Sequence, residues 1–280
     1  MNRSTLFLLS MAAIALCLAS PSMATEPQAW TMGFQKSASP TMERIQTLAS
    51  FINAVIVSIT ILVSTLLGYA CWRFSAKRNP QPANWSHNTP LEVAWTAIPA
   101  IILLLIAIPS FRLLYFMDRV QDAGLTVKIV GHQWSWSYEY PDQDFKFDSL
   151  IVAEEDLKPG QPRLLTADNE LVVPAGVPIR LQMTADDVIH SWAVPAFGVK
   201  SDAVPGRLNE SWVQVNEPGV YYGQCSQLCG INHGFMPIHV RALSKEEFAA
   251  WVVSAKHKFA HLDGTPANTN VAALPQEPRP

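Results

Sequence analysis

Hydrophobic residues form long unbroken runs in roughly the first 120 positions of the 280-residue chain and short alternating runs afterwards. The earliest run, Leu6–Ala19, follows Arg3 and precedes the small residues of Ser22–Ala24. A run this short does not cross the roughly 30 Å of membrane hydrocarbon, and its flanks are those of a secretory signal peptide. We therefore predict a cleaved signal peptide over residues 1–24.

Two longer runs predict a transmembrane hairpin. Leu48–Trp72 contains no charged residue, and Val93–Phe111 is apolar between Glu92 and Arg112. At 1.5 Å per residue, each run is long enough to span the hydrocarbon as a helix. Residues 25–117 are accordingly expected to form two membrane helices, one over each run.

Basic residues predict the orientation of this hairpin. Arg73, Lys77 and Arg78 lie between the two runs, and cytoplasmic loops are enriched in such residues. The connecting loop is therefore predicted in the cytoplasm and both chain ends outside. Everything after about residue 118 is therefore expected to be exported.

From Thr126 to about Val240 the pattern changes to short runs of Val, Ile, Trp and Tyr separated by Pro and Gly. This pattern is typical of an all-β sandwich or barrel. Residues 118–253 are predicted to form this exported domain, and residues 254–280, rich in Pro, Ala, Thr and Asn, a disordered tail. Strands are predicted at Leu171–Val173, Ile179–Met183, Trp192–Val194, Trp212–Val215, Gly219–Tyr222 and Ile238–Ala242.

One stretch of the domain alternates strictly. Every second residue from Trp134 to Tyr140 is aromatic, so a strand would place four rings on one face. Val127 and Ile129 have the opposite parity, and a bulge near Gly131 would reconcile the two. Such a stripe is most often core packing. A functional role for Trp134 is expected only if a redox-active group lies close by.

A short helix is predicted to close the domain. Ser244 and Glu247 have the spacing of a capping box, in which each side chain bonds the other residue's backbone N–H. The helix is expected over Lys245–Trp251.

Composition excludes two classes of protein. The chain is 49% hydrophobic and 15% charged, with a formal net charge of −3, so it is neither a disordered nor a nucleic-acid-binding chain. Residues 118–253 contain eighteen Asp and Glu residues against ten Lys and Arg, a net charge of −8. The exported domain is therefore acidic.

A short segment of this domain concentrates metal-binding side chains. Cys225, Cys229, His233 and Met236 fall within twelve residues, and His190 lies upstream before a predicted strand. A disulfide is the default for an exported cysteine pair, but it leaves the His and Met without a role. A zinc ion would leave the Met236 thioether without a ligand role, and a single blue-copper ion would bind only one of the two thiolates.

These three alternatives stay open, but a fourth uses every group. Two thiolates can bridge two copper ions, with one imidazole on each ion and the thioether and a backbone carbonyl as weak outer ligands. All coordination positions then come from protein, which suits electron transfer and leaves no open position for a substrate. The pattern therefore favours a dinuclear copper centre.

Several separated motifs together resemble subunit II of haem-copper cytochrome c oxidase. They are Leu91–Thr96 at the start of the second helix, the strand Gly131–Tyr140, the segment Val199–Asn209, and residues 224–237, called the ligand loop below, with His190 upstream. The likeness extends through about Trp251. It implies a membrane hairpin followed by a cupredoxin-like domain.

The resemblance also implies a function. The chain would accept electrons from cytochrome c and pass them to haem in subunit I, supporting oxygen reduction coupled to proton pumping. Subunits I and III would be its membrane partners. The dinuclear centre, copper A, would take its ligands from the side chains of His190, Cys225, Cys229, His233 and Met236 and from the main-chain carbonyl of Gln227.

Further roles follow from the resemblance. Trp134 is similar to the residue at which electrons from cytochrome c arrive. Glu92 is similar to a carboxylate at the mouth of a proton-uptake path, although a Glu at a helix start is also favoured by the helix dipole alone. The interface with subunit I, where a magnesium ion lies, would include Lys200, Asp202 and Arg207.

Two residues depart from the family pattern. Gln227 stands where the family commonly has Glu, whose carboxylate reaches the magnesium, so a magnesium site remains open here. Ser135 stands between two tryptophans where the family often has Tyr, which changes ring packing where electrons would arrive.

An acidic surface most often serves solubility, but beside a redox centre it predicts docking of a small basic carrier. The candidate docking acids are Asp142, Asp144, Asp148, Asp168, Asp186 and Asp187. Of these, Asp148, Asp168 and Asp187 match the family's pattern best.

Two other functional classes compete with this hypothesis. Subunit II of a quinol oxidase shares the hairpin and fold but lacks the copper ligands. A membrane-anchored copper-binding assembly protein needs an exposed, exchangeable site, whereas these ligands come from a β-loop and a distant His. No Cys-x-x-Cys-His segment occurs, so the chain carries no fused c-type haem and the cytochrome is expected to be a separate partner.

Overall fold

The computed structural model describes residues 27, 31, 33–81, 83–119 and 122–259. The predicted signal peptide, residues 1–24, and the chain beyond residue 259 lie outside this part. The described chain forms two long helices, a β domain of ten strands and a closing helix.

The two long helices form the hairpin. Helix α1 spans Pro40–Arg73 and helix α2 spans Thr89–Asp118. Both are long and apolar enough to cross a membrane, and the most apolar stretch of each is not buried inside the protein. Ser39 and Asn88 cap the two N-termini through their side-chain oxygens, and each helix has a proline in its first two positions, where no backbone N–H is needed.

Both helices extend beyond their predicted bounds of 48–72 and 93–111. With 34 residues, α1 is about 51 Å long, which exceeds the roughly 30 Å of membrane hydrocarbon. The hydrophobic run marked only the part that crosses the membrane. The first turns of α1 continue the helix to the β domain, against which Thr41 and Met42 are buried.

The chain before α1 is joined to the β domain by backbone and side-chain hydrogen bonds. Ala38 donates its N–H to the carbonyl of Ala196 at 2.8 Å and accepts the N–H of Asn216 at 2.9 Å. The fully buried Ser39 hydroxyl donates to the carbonyl of Phe197 at 2.6 Å and accepts the N–H of Met42 at 3.0 Å. The cap of α1 is therefore also a tether to the domain.

Ten strands form two five-stranded sheets that enclose one core. The first sheet has the order β3-β2-β1-β5-β8, and the second has the order β4-β10-β9-β6-β7. The strands are β1 Leu125–His132, β2 Ser135–Tyr140, β3 Phe145–Ser149, β4 Leu171–Pro174, β5 Pro178–Ala185, β6 His190–Val194, β7 Val199–Ala203, β8 Asn209–Gln214, β9 Gly219–Cys225 and β10 Pro237–Leu243.

The core lies between the two sheets. Strands β1, β2 and β5 alternate buried and half-buried residues, as expected when one face of a sheet is covered. Trp136, Tyr138 and Tyr140 from one sheet and Trp192 from the other are almost completely buried. Each of the six predicted strands overlaps an observed one, and the predicted helical hairpin followed by an all-β sandwich is confirmed.

The predicted bulge near Gly131 is wrong. The chain instead turns back between His132 and Ser135, which pair with each other, so that β1 and β2 form an antiparallel hairpin. The two residues of the turn, Gln133 and Trp134, reverse the chain. As a result, the even-numbered residues of β2 lie on the same face of the sheet as the odd-numbered residues of β1. Three rings of the aromatic stripe therefore enter the core, while Trp134 stands at the tip of the hairpin.

The closing helix α3 spans Lys245–Phe259 and begins at the predicted capping box. Glu247 donates its N–H to the Ser244 hydroxyl at 3.2 Å, and its carboxylate accepts the N–H of Ser244 at 3.0 Å. Residues 254–259 are thus helical, which corrects the predicted start of the tail. The physical reason is packing, because the Phe259 ring stacks on Phe147 at 4.6 Å between centroids.

Candidate metal centre

The predicted ligands converge at one end of the β domain. His190 begins β6, Cys225 ends β9, and Met236 immediately precedes β10. The segment between β9 and β10 carries Cys229 and His233 back over this end. The ligand atoms of His190, Cys225 and Cys229 all lie within 4.8 Å of one another, and the three residues are buried.

The two cysteine sulfurs are close but not bonded. Their Sγ atoms are 3.9 Å apart, about twice the length of a disulfide bond. Each sulfur has its own imidazole: His190 Nδ1 is 4.0 Å from Cys225 Sγ, and His233 Nδ1 is 3.5 Å from Cys229 Sγ. The Sδ atom of Met236 is 3.6 Å from Cys229 Sγ.

These distances fit shared metal ions. A metal–nitrogen or metal–sulfur bond is about 2.0–2.3 Å long, so two donors on one ion lie at most about 4.6 Å apart. The donor pairs of the cluster, at 3.5–4.0 Å, meet this limit. The carbonyl oxygen of Gln227 lies 3.4 Å from Cys225 Sγ and is a further donor at the same place.

Burial governs the protonation of the cluster. Burial, the largest cause, acts together with the neighbouring Cys225 to raise the pKa of the Cys229 thiol to about 12. The site therefore holds a thiol until a cation displaces the proton, so metal binding releases protons.

His190 is held by the carboxylate of Asp187. Asp187 Oδ1 accepts the Nε2–H of His190 at 2.9 Å and the N–H of Val188 at 2.6 Å, while Oδ2 accepts the N–H of Gln133 at 2.6 Å. Burial raises the pKa of the Asp187 carboxyl, but these hydrogen bonds outweigh it and leave the pKa below its ordinary value. The proton on Nε2 leaves Nδ1 as the free donor atom facing Cys225.

The hairpin β1–β2 supports the other side of His190. A side-chain carbon at Gly131 would lie 2.8–3.0 Å from three atoms of His190, so only glycine lets the imidazole lie this close to β1. The Trp136 ring meets the imidazole edge-on at 5.9 Å between centroids, and its N–H donates to the carbonyl of Met236 at 3.3 Å.

The tip of the same hairpin contacts the ligand loop. The Trp134 indole N–H and the Gln133 side-chain amide both donate to the carbonyl of Cys229, at 3.2 and 2.8 Å. Gly230 follows with φ +122°, and a side-chain carbon there would lie 3.0 Å from the Trp134 ring. Trp134, half-buried, thus lies directly against the residue that carries one of the two sulfurs.

The other predicted residues lie at three places. Lys200, Asp202 and Arg207 are exposed on β7 and the turn that follows it. Glu92 lies in the first turn of α2, at the end of the hairpin away from the β domain, where its carboxylate accepts the Asn88 N–H at 3.3 Å. The side chain of Gln227 is exposed on the ligand loop.

The predicted docking acids are partly engaged within the protein. Asp148 accepts the Ser137 hydroxyl at 2.5 Å, and Asp168 accepts the N–H of Leu150 at 2.7 Å. Asp142 accepts the N–H of Thr126 at 3.2 Å.

Sequence reasoning missed the contact of Asp187 with His190 and that of Gln133 with the ligand loop. The only sign of the first contact in the sequence is the three-residue spacing of Asp187 and His190. That spacing predicts a contact only when the geometry of the loop is already known.

A β-sandwich that gathers two thiols, two imidazoles and a thioether at one end, and that is tethered to a helical hairpin, defines a membrane-anchored copper-binding protein. Two family comparisons agree with this class. Residues 125–243 match "Cytochrome C oxidase subunit II, periplasmic domain", and residues 27–113 match "Cytochrome C oxidase subunit II, transmembrane domain".

Two relatives are similar over most of the chain, and one solved structure is similar over half of it. The chain is 52% identical over 238 residues to the probable cytochrome c oxidase subunit 2 of Rickettsia bellii (85% of this chain, 88% of that protein). It is 50% identical over 240 residues to cytochrome c oxidase subunit 2 of Arabidopsis thaliana (83% and 92%). The solved periplasmic domain of subunit II of Bradyrhizobium japonicum cytochrome oxidase is 56% identical and covers 50% of this chain and 99% of that one, with a TM-score of 0.48.

The chain belongs to the cytochrome c oxidase subunit II family. It is a subunit of cytochrome c oxidase, a member of the haem-copper oxidase complex, with two transmembrane helices and a cupredoxin-like periplasmic domain. The clustered His, Cys and Met side chains are consistent with the copper A site of this family.

Proposed function

We propose that this chain accepts electrons from cytochrome c at a dinuclear copper A centre and passes them to haem in subunit I, supporting oxygen reduction coupled to proton pumping. The observation that carries the proposal is the pair of unbonded sulfurs 3.9 Å apart, each with its own imidazole. When bound there, copper supplies a reversible one-electron acceptor.

The ligand set would hold two ions rather than one. The His190 imidazole lies beside one cysteine sulfur and the His233 imidazole beside the other, so each ion would take one imidazole as a terminal ligand. The Met236 thioether lies beside one cysteine and the Gln227 carbonyl beside the other, and both would be weaker ligands. A zinc site would leave the thioether unused, and a single blue-copper ion would leave one thiolate unused.

The surrounding residues keep this ligand set rigid. Asp187 fixes the His190 imidazole from one side and Gly131 admits it from the other, while the ligands lie at the ends of β-strands. Rigid ligands move little when the charge of the bound ions changes, which favours rapid electron exchange. The protein would supply every ligand of the bound ions, so no coordination position would be open to a substrate. The site therefore suits electron transfer and not bond formation.

Electrons would arrive through Trp134. Its ring is half-buried at the hairpin tip and donates a hydrogen bond to the Cys229 carbonyl, so it links the protein surface to a ligand residue directly. The net charge of −8 on the domain would attract a basic cytochrome, with Asp148, Asp168 and Asp187 contributing to that field.

The remaining predicted residues have roles toward the membrane. Lys200, Asp202 and Arg207 would face subunit I, and the Gln227 amide would meet any magnesium ion there. Glu92 would take up protons on the opposite side of the membrane from the copper domain, since a membrane helix separates them. The orientation with both termini outside a bacterial inner membrane, and subunit III as a further partner, belong to the same proposal.

The test uses rapid mixing of the whole oxidase complex with reduced cytochrome c. Trp134→Phe should slow haem reduction at least about tenfold with unchanged copper content, because electrons then cross a site without the indole N–H. Trp85→Phe, an exposed tryptophan in the hairpin loop, is the matched control and should behave as the unmodified complex. Fast haem reduction in a copper-free Cys225→Ser complex would refute the proposed function.

A further inference from the structure

Arginine side chains gather at the end of the hairpin that adjoins the β domain. A groove of about 410 Å³, called the arginine groove below, is lined by Arg112, Tyr115, Phe116 and Arg119. Because these residues follow the first at spacings of three, four and seven, they lie on one face of α2. Both arginines are exposed, and within the described part of the chain neither guanidinium has an ion pair or a hydrogen bond.

Two further arginines lie beside this groove. The Arg44 guanidinium from α1 lies over the Phe116 ring, 3.5 Å from its centroid. From the β domain, Trp212 meets Phe116 edge-on at 5.2 Å between centroids and donates its indole N–H to the Phe116 carbonyl at 3.3 Å. Arg180 lies directly opposite Trp212 on the neighbouring strand, and its buried Nε has no hydrogen-bond partner among the described residues. The groove therefore lies where the hairpin meets the domain, in a region of positive charge.

The length of the apolar run places the groove at the membrane surface. As a helix, Val93–Phe111 rises about 28 Å, close to the roughly 30 Å of membrane hydrocarbon. Arg112 follows this run immediately, and Arg119 lies about 10 Å farther along the helix axis. The headgroup layer on each side of a membrane is about 5–8 Å thick. The two arginines therefore bracket the layer in which lipid phosphates lie.

The ordinary roles of arginine do not account for this group. Basic residues of membrane proteins are enriched on the cytoplasmic side, whereas this end of the hairpin adjoins the periplasmic domain. The helix dipole favours Arg119, which follows the last residue of α2, but Arg112 lies well before that last turn. The nearest acids leave the charge in place, because Glu43 accepts a hydrogen bond from Asn216 at 2.7 Å and Asp118 points about 100° around α2 from Arg119.

The chemistry of the lining suits the phosphate of a lipid. A guanidinium binds two oxygens of one phosphate through parallel hydrogen bonds. Tyr115 and Phe116 add aromatic rings, which are enriched where headgroups meet acyl chains. The surplus of positive charge disfavours a headgroup that carries its own ammonium group, since that cation would lie among the arginines. The groove therefore favours a lipid with a net negative charge.

We propose that the arginine groove binds the headgroup phosphate of an anionic phospholipid in the half of the membrane that faces the copper domain. Arg112 and Arg119 bind the phosphate, and the rings of Tyr115 and Phe116 contact the adjoining glycerol and acyl chains. The site goes beyond the electron-transfer function proposed above and does not depend on it.

The test uses the complete oxidase in detergent with a phosphatidylglycerol that carries a photoreactive group near its headgroup. After illumination, mass spectrometry measures the label on the peptide that contains the groove residues. Unlabelled phosphatidylglycerol should compete with the probe at least about tenfold better than phosphatidylcholine, because only the former has a net charge. Inorganic phosphate should compete poorly, because it lacks the acyl chains that hold a lipid at this depth.

Variants of the two arginines test the assignment of the ligands. Arg112→Gln should weaken binding of the probe roughly fivefold, and the double variant Arg112→Gln, Arg119→Gln roughly 25-fold, since each basic residue at the membrane surface contributes a similar factor. Arg112→Lys keeps the charge but not the paired hydrogen bonds, and its affinity should lie between those of the unmodified complex and Arg112→Gln. Arg163→Gln, in the β domain, removes the same charge from a pair with Glu154 and should be labelled like the unmodified complex.

Three results would overturn the proposal. Equal labelling of the double variant and the unmodified complex would show that the arginines do not bind the lipid. Equal competition by phosphatidylcholine, or strong competition by inorganic phosphate, would indicate a general lipid surface or a site for a free anion. Absence of label from the unmodified complex, together with loss of subunit I from the double variant during purification, would show that the arginines pair with that subunit instead.

Discussion

Asp187 and His190 are joined by a hydrogen bond of 2.9 Å between the carboxylate Oδ1 and the imidazole Nε2. The contact decides which ring nitrogen is free, because the proton held on Nε2 leaves Nδ1 facing Cys225. On sequence grounds, Asp187 is expected to be one of the acidic residues at which the basic cytochrome docks. Its carboxylate also orients a ligand of the metal centre, and these two roles predict different effects of mutation.

Asp187→Asn should weaken copper binding. An amide has one acceptor oxygen, whereas the carboxylate accepts hydrogen bonds from three donors, so one donor is left facing an NH₂ group. Loss of such a supporting contact typically lowers metal affinity roughly 10- to 100-fold. Competition titration with a copper chelator measures the change. Asp186→Asn, the neighbouring acid, is the control, and equal weakening by both variants would contradict an orienting role for Asp187.

Gly131→Ala should displace His190. The added carbon would lie 2.8 Å from the imidazole ring, closer than side-chain carbons pack, so ring or strand must move. We expect a lower copper content and a changed visible absorption spectrum of the bound copper. Gly219→Ala is the matched control, because its added carbon meets only ordinary contacts at 3.5 Å or more. An unchanged copper spectrum for Gly131→Ala would show that the close packing is not needed.

His239 should make the β domain sensitive to acid. Burial lowers the pKa of this imidazole, opposed by the nearby Glu170 carboxylate, so the folded chain takes up its proton less readily than the unfolded chain. Stability is therefore greatest above about pH 6.5, the ordinary histidine pKa, and falls as the pH drops below it. Thermal unfolding of the copper-free chain at several pH values measures this loss.

The variant His239→Gln, which cannot titrate, should lose less stability between about pH 7 and about pH 5 than the unmodified chain. The exposed His257, replaced in the same way, should leave the pH dependence unchanged. The prediction fails if the unfolding temperatures of the His239 variant and the unmodified chain fall in parallel as the pH is lowered.

Ser39→Ala should loosen the junction between the hairpin and the β domain. The variant loses the cap of α1 and leaves the Phe197 carbonyl without its buried donor, a cost of about 1–2 kcal/mol. Denaturant unfolding of the full chain in detergent measures it. Ser254→Ala, on the surface of α3, removes a hydroxyl that bonds only within its own helix and should change stability by less than about 0.5 kcal/mol. Equal effects would contradict the tether.

The fold class and the ligand cluster could be predicted because each rests on local pattern. Long apolar runs define the helices, alternation defines the strands, and the spacing of Cys225, Cys229, His233 and Met236 allows a tight loop to bring their donor atoms together. The turn at Gln133 and Trp134 could not be predicted, because a bulge and a two-residue turn cause the same shift of parity in the sequence.

Contacts between distant segments also escaped prediction. The Gln133 amide bonds to the Cys229 carbonyl across 96 positions of sequence, and no local pattern marks such a pair. The same holds for the Ser39 hydroxyl and the Phe197 carbonyl, which are 158 positions apart. The last turns of α3 were missed because their composition resembles that of the tail, whereas stacking of Phe259 on the sheet stabilises the helix.

The central claim is that Cys225 and Cys229 share two copper ions. Copper analysis and EPR spectroscopy of the oxidase complex test it most directly, with Cys229→Ser as the variant and Cys71→Ser, an exposed cysteine of α1, as the control. The unmodified complex and the control should show two coppers in this chain and a spectrum split by two equivalent copper nuclei, and Cys229→Ser should retain at most one altered copper. An unchanged two-copper spectrum in Cys229→Ser would contradict the account.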